Sequence, residues 1–221
     1  YWKYCRIMII KGYILTYLYL GLLLFITYIL KKYFKVNEIM TRKLVHINVS
    51  FCYVIFYHYL GNSYHIIIPP LTFILLNYLS YKKNIFKGME NNKETLGTVF
   101  YPISVLIMAI ITYLVPEFYP YFGIGLFCMA FGDGLAPLIA GYLKSMKIYN
   151  NKTLVGTLTV FIISIIVVII FNQIFTLNMD LFSIILIGVV SSLLELIGIN
   201  GYDNLYLPLG VSLFSFILGV V

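Results

Sequence analysis

The sequence predicts an all-α protein, a polytopic membrane bundle of about seven to eight transmembrane helices. Of its 221 residues, 62% are hydrophobic and only 10% are charged, whereas a soluble domain carries about 25% charged residues. Such an excess of apolar surface cannot be buried inside one small globule, so lipid is the expected solvent for much of it. Polar residues do not alternate with the period of a strand, which leaves helices as the spanning elements.

Eight apolar segments are each close to the roughly 20 residues that a helix needs to cross the hydrocarbon core. The first is too long for the apolar part of a signal peptide and is interpreted as a retained span. A basic segment, 1–11, precedes it, and residues 1–221 are expected to form a single polytopic membrane domain. The segments cover residues 12–30, 44–60, 64–80, 96–115, 121–143, 153–175, 181–199 and 204–221.

The 15 Lys and Arg residues are distributed unevenly among the loops. Five lie between the first two spans, four between the third and fourth, and three between the fifth and sixth, whereas the loops at 61–63, 116–120 and 176–180 have none. The positive-inside rule places the basic loops, and with them the active face, in the cytoplasm. Both termini then face outward. The three cations that precede the first span contradict an outward-facing N-terminus, unless the N-terminus is interfacial or an additional segment lies upstream.

The net charge of +7 does not indicate a nucleic-acid partner, because the cations lie between apolar spans and form no basic stripe. The three cysteines, Cys5, Cys52 and Cys128, have neither disulfide nor zinc spacing and are expected to be small buried hydrophobes. Membrane lipids are the expected surroundings, and no obligate protein partner is inferred.

The most informative residue is Asp133, within AFGDGLAPLIAGYLK at 130–144. A carboxylate at the centre of a transmembrane helix costs about 2.5–3.5 kcal/mol on insertion scales, so a functional role is favoured over a packing role. Gly132 and Gly134 are interpreted as leaving room for a phosphate or a metal ion. Pro137 has no N–H, so the Asp133 carbonyl loses its helical partner. The carboxylate and the free carbonyl together predict a cation site.

A basic motif, TRKLVH at 41–46, opens the second span. Arg42, Lys43 and His46 share one face of a helix, and two cations with an imidazole are suited to a polyphosphate. The alternative, a basic flank that snorkels at the membrane interface, is about equally favoured.

The loop before the sixth span carries three lysines and leads into a helix start with small hydroxyl residues. Cations beside a helix N-terminus are typical of an anion site, although the loop taken alone is an ordinary cytoplasmic loop. The residues concerned are Lys144, Lys147, Lys152, Thr153, Gly156 and Thr157.

Two more segments carry polar residues. In ELIGINGYDNLYLPLG, 195–210, the oxygens of Glu195, Asp203 and Asn204 suit Mg²⁺ shared with substrate phosphates, and a capped hairpin turn is the alternative. In KETLGTVFYP, 93–102, Glu94 is a helix N-terminal acid and Thr98 an interhelical contact.

The order TRKLVH, ETLGTVFYP, FGDGLAPLIAGYLK, NKTLVGT and E…GYDNLYLP resembles the CTP-dependent lipid-alcohol kinases. These include the phytol (prenol), dolichol and CTP-using diacylglycerol kinases, and they are related to the phosphatidate cytidylyltransferases. The resemblance covers about 41–210. It implies a polytopic enzyme that uses CTP and Mg²⁺, or a similar divalent cation, to phosphorylate a long-chain alcohol at the cytoplasmic face.

By matching position, the resemblance makes Asp133 the essential catalytic acid. It places a nucleotide-binding segment at 152–157, where Val155 stands at a position that is often acidic in the family. The basic opening motif is matched by Arg42, Lys43 and His46, and the closing motif by Asp203 and Asn204.

The expected mechanism places Mg²⁺ on Asp133 with Glu195 or Asp203, and the role of metal ligand is favoured over general base for Asp133. The cations at 42, 43, 144, 147 and 152 are expected to bind the triphosphate. One alternative is a cytidylyltransferase that makes a CDP-lipid, although its longer Ser/Lys/Asp-rich signature is absent. Another is a small ion-coupled transporter in which Asp133 binds a proton or a cation, against which the empty outer loops argue.

Overall fold

The computed structural model describes residues 2–61, 63–83, 96–143 and 145–220, which are almost entirely helical. The all-α prediction is confirmed, and each of the eight apolar segments contains helix. A π-helical turn, Phe56–Leu60, continues α3, and 3₁₀ turns at Tyr64–Ile67 and Pro116–Phe118 precede α4 and α6. The α-helices are α1 (Trp2–Phe34), α2 (Glu38–Val49), α3 (Cys52–Ile55), α4 (Ile68–Lys83), α5 (Gly97–Leu114), α6 (Tyr119–Leu143), α7 (Leu154–Phe175), α8 (Leu181–Ile197) and α9 (Asp203–Val220).

Six helical segments of the described residues are long and apolar enough to cross a membrane. The shorter apolar helix α8 lies between two of them, and α4 occupies the third predicted segment. The protein is therefore a polytopic helical bundle, as predicted. The six segments are Arg6–Phe34, Glu38–Leu60, Gly97–Leu114, Pro116–Leu143, Leu154–Phe175 and Asp203–Val220.

The first helix begins earlier than the sequence predicts. The apolar run begins at Gly12, but α1 is already helical at Trp2 and continues for 33 residues. At 1.5 Å per residue it is about 50 Å long, which exceeds the thickness of the hydrocarbon core. From Trp2 onward, the predicted basic N-terminal segment is thus the first part of α1.

A short hairpin, which the sequence reasoning missed, precedes α7. Strands β1 (Lys147–Tyr149) and β2 (Lys152–Thr153) pair antiparallel. The turn between them is Asn150-Asn151, with φ of 43° and 63°. Asparagine tolerates this left-handed region, so the Asn-Asn pair is the signal that would have indicated the turn. The hairpin holds Lys152 just before the N-terminus of α7.

Helix α6 lies at the centre of the bundle. In its apolar 18-residue stretch 72% is buried, against 17% in the corresponding stretch of α1. Glycines set its distance from neighbouring helices. A Cβ on Gly125 would lie 2.2 Å from the Pro208 carbonyl oxygen of α9, and one on Gly134 would lie 2.6 Å from Ile47 Cγ1 of α2. A Cβ on Gly132 would lie 3.2 Å from Val160 Cγ1 of α7. The missing side chains of Gly132 and Gly134 thus leave space for adjacent helices, and the interpretation of the two glycines as room for a ligand stays a prediction.

Candidate active site

The buried carboxylate of Asp133 is held by a lysine from α2. Lys43 Nζ donates to Asp133 Oδ2 at 2.7 Å and to the Asp133 carbonyl oxygen at 2.9 Å. That carbonyl is free because Pro137, inside α6, has no N–H to bond it. His46 Nε2 lies 3.4 Å from the same Oδ2. The carboxylate and carbonyl that predicted a cation site thus do bind a cation, and that cation is the Lys43 ammonium.

A second lysine holds the other two acids. Lys152 Nζ donates to Glu195 Oε1 and, at 3.3 Å, to Asp203 Oδ2. Burial lowers the pKa of this ammonium, but the carboxylates of Asp203, Glu195 and Asp133 together raise it above its ordinary value. Asp133 contributes to this effect, so the Lys43–Asp133 pair and the group of Lys152, Glu195 and Asp203 belong to one charged site. This charged site is built from α2, α6, α8, α9 and the hairpin.

The start of α5 joins a third group to this site. Asn204 Nδ2 donates to the Gly97 carbonyl oxygen at 3.2 Å. A Cβ on Gly97 would lie 2.9 Å from Asn204 Nδ2 and 3.2 Å from Arg42 Nη2. Glycine at this position therefore allows Arg42 and Asn204 to converge, so three motifs that are distant in the sequence meet here.

Several buried polar atoms of the site have no hydrogen-bond partner. Leaving such an atom unpaired costs about 1–3 kcal/mol, so a cluster of them indicates groups that bind a ligand. Of the six such side-chain atoms in the described residues, five belong to the predicted motifs and the sixth is Ser80 Oγ. The five are His46 Nε2, Thr98 Oγ1, Thr157 Oγ1, Glu195 Oε2 and Asn204 Oδ1.

Other predicted nucleotide-binding residues have local roles or lie outside the site. Thr153 caps α7, and its hydroxyl accepts a hydrogen bond from Gly156 N at 3.1 Å. Lys147 Nζ donates to Asn151 Oδ1 at 2.9 Å within the exposed hairpin. Lys144 and Glu94 lie outside the described residues. The geometry thus brings together Arg42, Lys43, His46 and Lys152, whereas Lys147 bonds within the hairpin and its role in nucleotide binding stays a prediction.

The predicted metal ligands are Asp133, Glu195 and Asp203. In the part of the chain that the structure describes, no three His, Cys, Asp or Glu side chains are placed to hold a metal ion by themselves. Magnesium in phosphoryl-transfer sites commonly needs only one or two carboxylates, since substrate phosphates complete its shell. The unpartnered, buried Glu195 Oε2 fits such a role, and the metal set remains a prediction.

A cavity of about 150 Å³ lies beside the charged site. Residues of α1 to α5 and of the π-helical turn line it, together with Leu126 of α6 and Asn204 of α9. Its lining is polar at one end and apolar at the other. The sequence reasoning missed the contribution of α4, where Asn77 and Ser80 occur three residues apart and line the same cavity. The polar lining residues are Arg42, His46, Asn77, Ser80, Thr98 and Asn204.

Fold and site together define a polytopic membrane protein with a buried acid–lysine–histidine centre next to an apolar cavity. The chain is 32% identical to the phytol kinase of Synechocystis over 146 residues, which make up 62% of this chain and 61% of that relative. The chain thus aligns with about three fifths of the relative's length. No protein-family model matches the sequence. No solved structure matches it either.

Proposed function

We propose that this protein is a lipid-alcohol kinase that transfers the γ-phosphoryl group of CTP, with Mg²⁺, to the hydroxyl of a long-chain alcohol similar to phytol, a polyprenol or dolichol. The reaction would take place at the cytoplasmic face of the membrane. The similarity to a phytol kinase supports this class of reaction. The observation that carries the proposal is the position of Asp133, which is buried against Lys43 and against His46, a residue that also lines the apolar cavity.

Phosphoryl transfer depends chiefly on positioning and on neutralising charge. Arg42, Lys43 and Lys152 come from two different segments, and all three are within the site. Lysine and arginine bind phosphate oxygens through charge-assisted hydrogen bonds. A bound triphosphate would therefore compete with Asp133 for Lys43, and with Glu195 for Lys152. A divalent cation bound there would neutralise charge on the phosphates.

The proposed reaction transfers one phosphoryl group and releases one proton. The alcohol oxygen bonds to the γ-phosphorus, the bond from the γ-phosphorus to the β,γ-bridging oxygen breaks, and CDP leaves with that electron pair. The hydroxyl O–H bond breaks as well, and its proton passes to water. Asp133 is proposed as a ligand of the divalent cation in preference to a general base.

The test uses detergent-purified protein with a panel of lipid alcohols and with CTP labelled separately at the α- and γ-phosphates. We expect the γ label in the lipid, CDP as the released product, and no transfer by Asp133→Asn. Asp180→Asn is the matched control, because Asp180 is exposed at the N-terminus of α8, where asparagine can also cap.

Transfer of the α label with release of pyrophosphate would overturn the kinase proposal and establish a cytidylyltransferase. No transfer from either CTP or ATP by the folded protein would favour the transporter alternative, with Asp133 as an ion site.

A further inference from the structure

We infer that the cavity between α1 and α5 is the binding site of the acceptor alcohol, with its hydroxyl at the polar end against His46. This inference rests on the proposed function, and it assigns the acceptor to a particular set of helices. Its occupant is the alcohol end of a single-chain lipid.

The cavity follows the axis of the second span. Lining residues recur every three or four positions along α2, α3 and the π-helical turn, as in Arg42, His46, Val49, Tyr53 and Phe56. At 1.5 Å per residue, the fourteen steps from 42 to 56 correspond to about 21 Å. The lining residues therefore form a stripe along one face of the second span, from its charged end toward its apolar end, and this stripe would align the start of a lipid chain with the helix axis.

The polarity of the lining matches one hydroxyl on a hydrocarbon. Of the six unpartnered buried side-chain atoms in the described part of the chain, four belong to residues that line this cavity: His46 Nε2, Ser80 Oγ, Thr98 Oγ1 and Asn204 Oδ1. All four lie at the end where Arg42 is found. The opposite end is lined by Leu20, Phe56, Pro69, Pro70, Val105 and Leu126. A nucleotide does not suit that end, because charged groups lose their hydration there without gaining partners.

His46 links the cavity to the charged site. Its imidazole lines the cavity and at the same time lies 3.4 Å from Asp133 Oδ2. Tyr101 holds the residue in place: its hydroxyl donates to the His46 carbonyl oxygen at 3.2 Å, and the two rings lie 4.9 Å apart. A hydroxyl that bonds to His46 Nε2 is thereby next to Asp133. His46 acts as a positioning residue for the acceptor oxygen.

The size of the cavity limits how much of the lipid it holds. A volume of about 150 Å³ is comparable with engineered apolar cavities that accept benzene. The cavity therefore holds the hydroxyl and the first few carbons, and the rest of the chain extends into the bilayer.

The first experiment maps the site on the unmodified protein without nucleotide. A long-chain prenol with a diazirine near its hydroxyl is photolysed in the presence of the protein, and the cross-linked peptides are identified by mass spectrometry. We expect cross-links at the polar end of the cavity, within 42–49, 77–80 and 97–101, which excess prenol abolishes. Cross-links on the lipid-facing surfaces of α7 and α8 would overturn the inference.

A matched pair of variants tests the same point by kinetics. Val49→Phe fills the cavity, whereas Val54→Phe adds the same side chain at a position that is 44% exposed and outside the lining. Because the larger ring would occupy volume that the prenol needs, we expect Val49→Phe to raise KM for the prenol about tenfold or more with little change in KM for CTP, and Val54→Phe to leave both within about twofold. Equal effects of the two variants would contradict the inference.

The two hypotheses fail in distinguishable ways. If the cross-links map to the cavity but no alcohol is phosphorylated, the proposed function is wrong and the lipid-alcohol site stands. If phosphorylation proceeds while the cross-links map elsewhere, the kinase stands and the acceptor site is wrong. The mapping uses the unmodified protein, so it decides the inference even if Val49→Phe does not fold.

Discussion

Replacing Lys43 with methionine removes the ammonium from a buried carboxylate while keeping most of the side-chain volume. The Lys43 and Asp133 side chains are only 17% and 11% exposed, and the ammonium donates to both Oδ2 and the carbonyl oxygen of Asp133. Removing one partner of a buried ion pair costs about 3–5 kcal/mol, because the remaining charge is left without compensation. We expect Lys43→Met to be destabilised by about that amount.

The matched control is Lys31→Met. Lys31 pairs with Glu38 between α1 and α2, but these side chains are 36% and 33% exposed. Pairs of this kind contribute about 0–1 kcal/mol. Both substitutions replace lysine with methionine, so the difference between their losses in stability isolates the effect of burial.

The assay is thermal unfolding in detergent, completed by the double variant Lys43→Met/Asp133→Asn. For chains of this size 1 kcal/mol shifts Tm by about 2–4 °C, so Lys43→Met should lower Tm by roughly 6–20 °C. Because Asp133→Asn removes the uncompensated charge, the double variant should recover much of this loss. The reasoning from the buried pair is refuted if Lys43→Met and Lys31→Met have the same Tm. It is also refuted if the loss of Tm in the double variant equals the sum of the losses in Lys43→Met and Asp133→Asn.

Two further predictions concern the other parts of the site. Gly97→Ala should reduce kcat/KM about tenfold or more, because its Cβ would lie 2.9 Å from Asn204 Nδ2. The control Gly141→Ala, with no atom within 4 Å of the added Cβ, should retain full activity. Equal activity of the two variants would contradict the convergence of Arg42 and Asn204 at Gly97. The raised pKa of Lys152 predicts that its contribution to stability is fully present below the pKa of about 10.4 of an unfolded lysine and is lost as pH rises through the folded value. The Tm difference between the unmodified protein and Lys152→Met should therefore be constant from about pH 7 to pH 9.5 and should decrease at higher pH; a decrease near neutral pH would contradict the assignment.

Much of the fold could be predicted from the sequence, because a bilayer imposes one length and one type of spanning element. Each apolar run had to become a helix, and its approximate ends are marked by lysines, asparagines and glycines. The extension of α1 to Trp2 could not be read from hydropathy, since Lys3, Arg6 and Lys11 interrupt the apolar pattern without interrupting the helix.

The site could be predicted only as a set of residues. Pro137 identified the carbonyl of Asp133 as free, but the cation that uses it is Lys43, 90 positions away. Which surface of α6 meets which helix is not encoded locally, so the packing of Val160 and Ile47 against Gly132 and Gly134 could not be predicted. The cavity depends on how α1 and α4 lean against α2 and α5, and no short motif records that arrangement.

The central position of α6 divides the molecule into a fixed part and an adaptable part. At Gly125, α6 packs directly against α9, where the missing Cβ leaves room for the Pro208 carbonyl oxygen and the Ser212 hydroxyl. Under the proposed function, substitutions at this contact would shift α6 and with it Asp133, and would affect the reaction of every acceptor alike. The helices on the other side of the cavity, α1 and α4, are exposed along much of their length, and their side chains can change without moving Asp133. Under the proposed function, a change of preferred alcohol among relatives is therefore expected to arise on α1 and α4, with the charged centre unchanged.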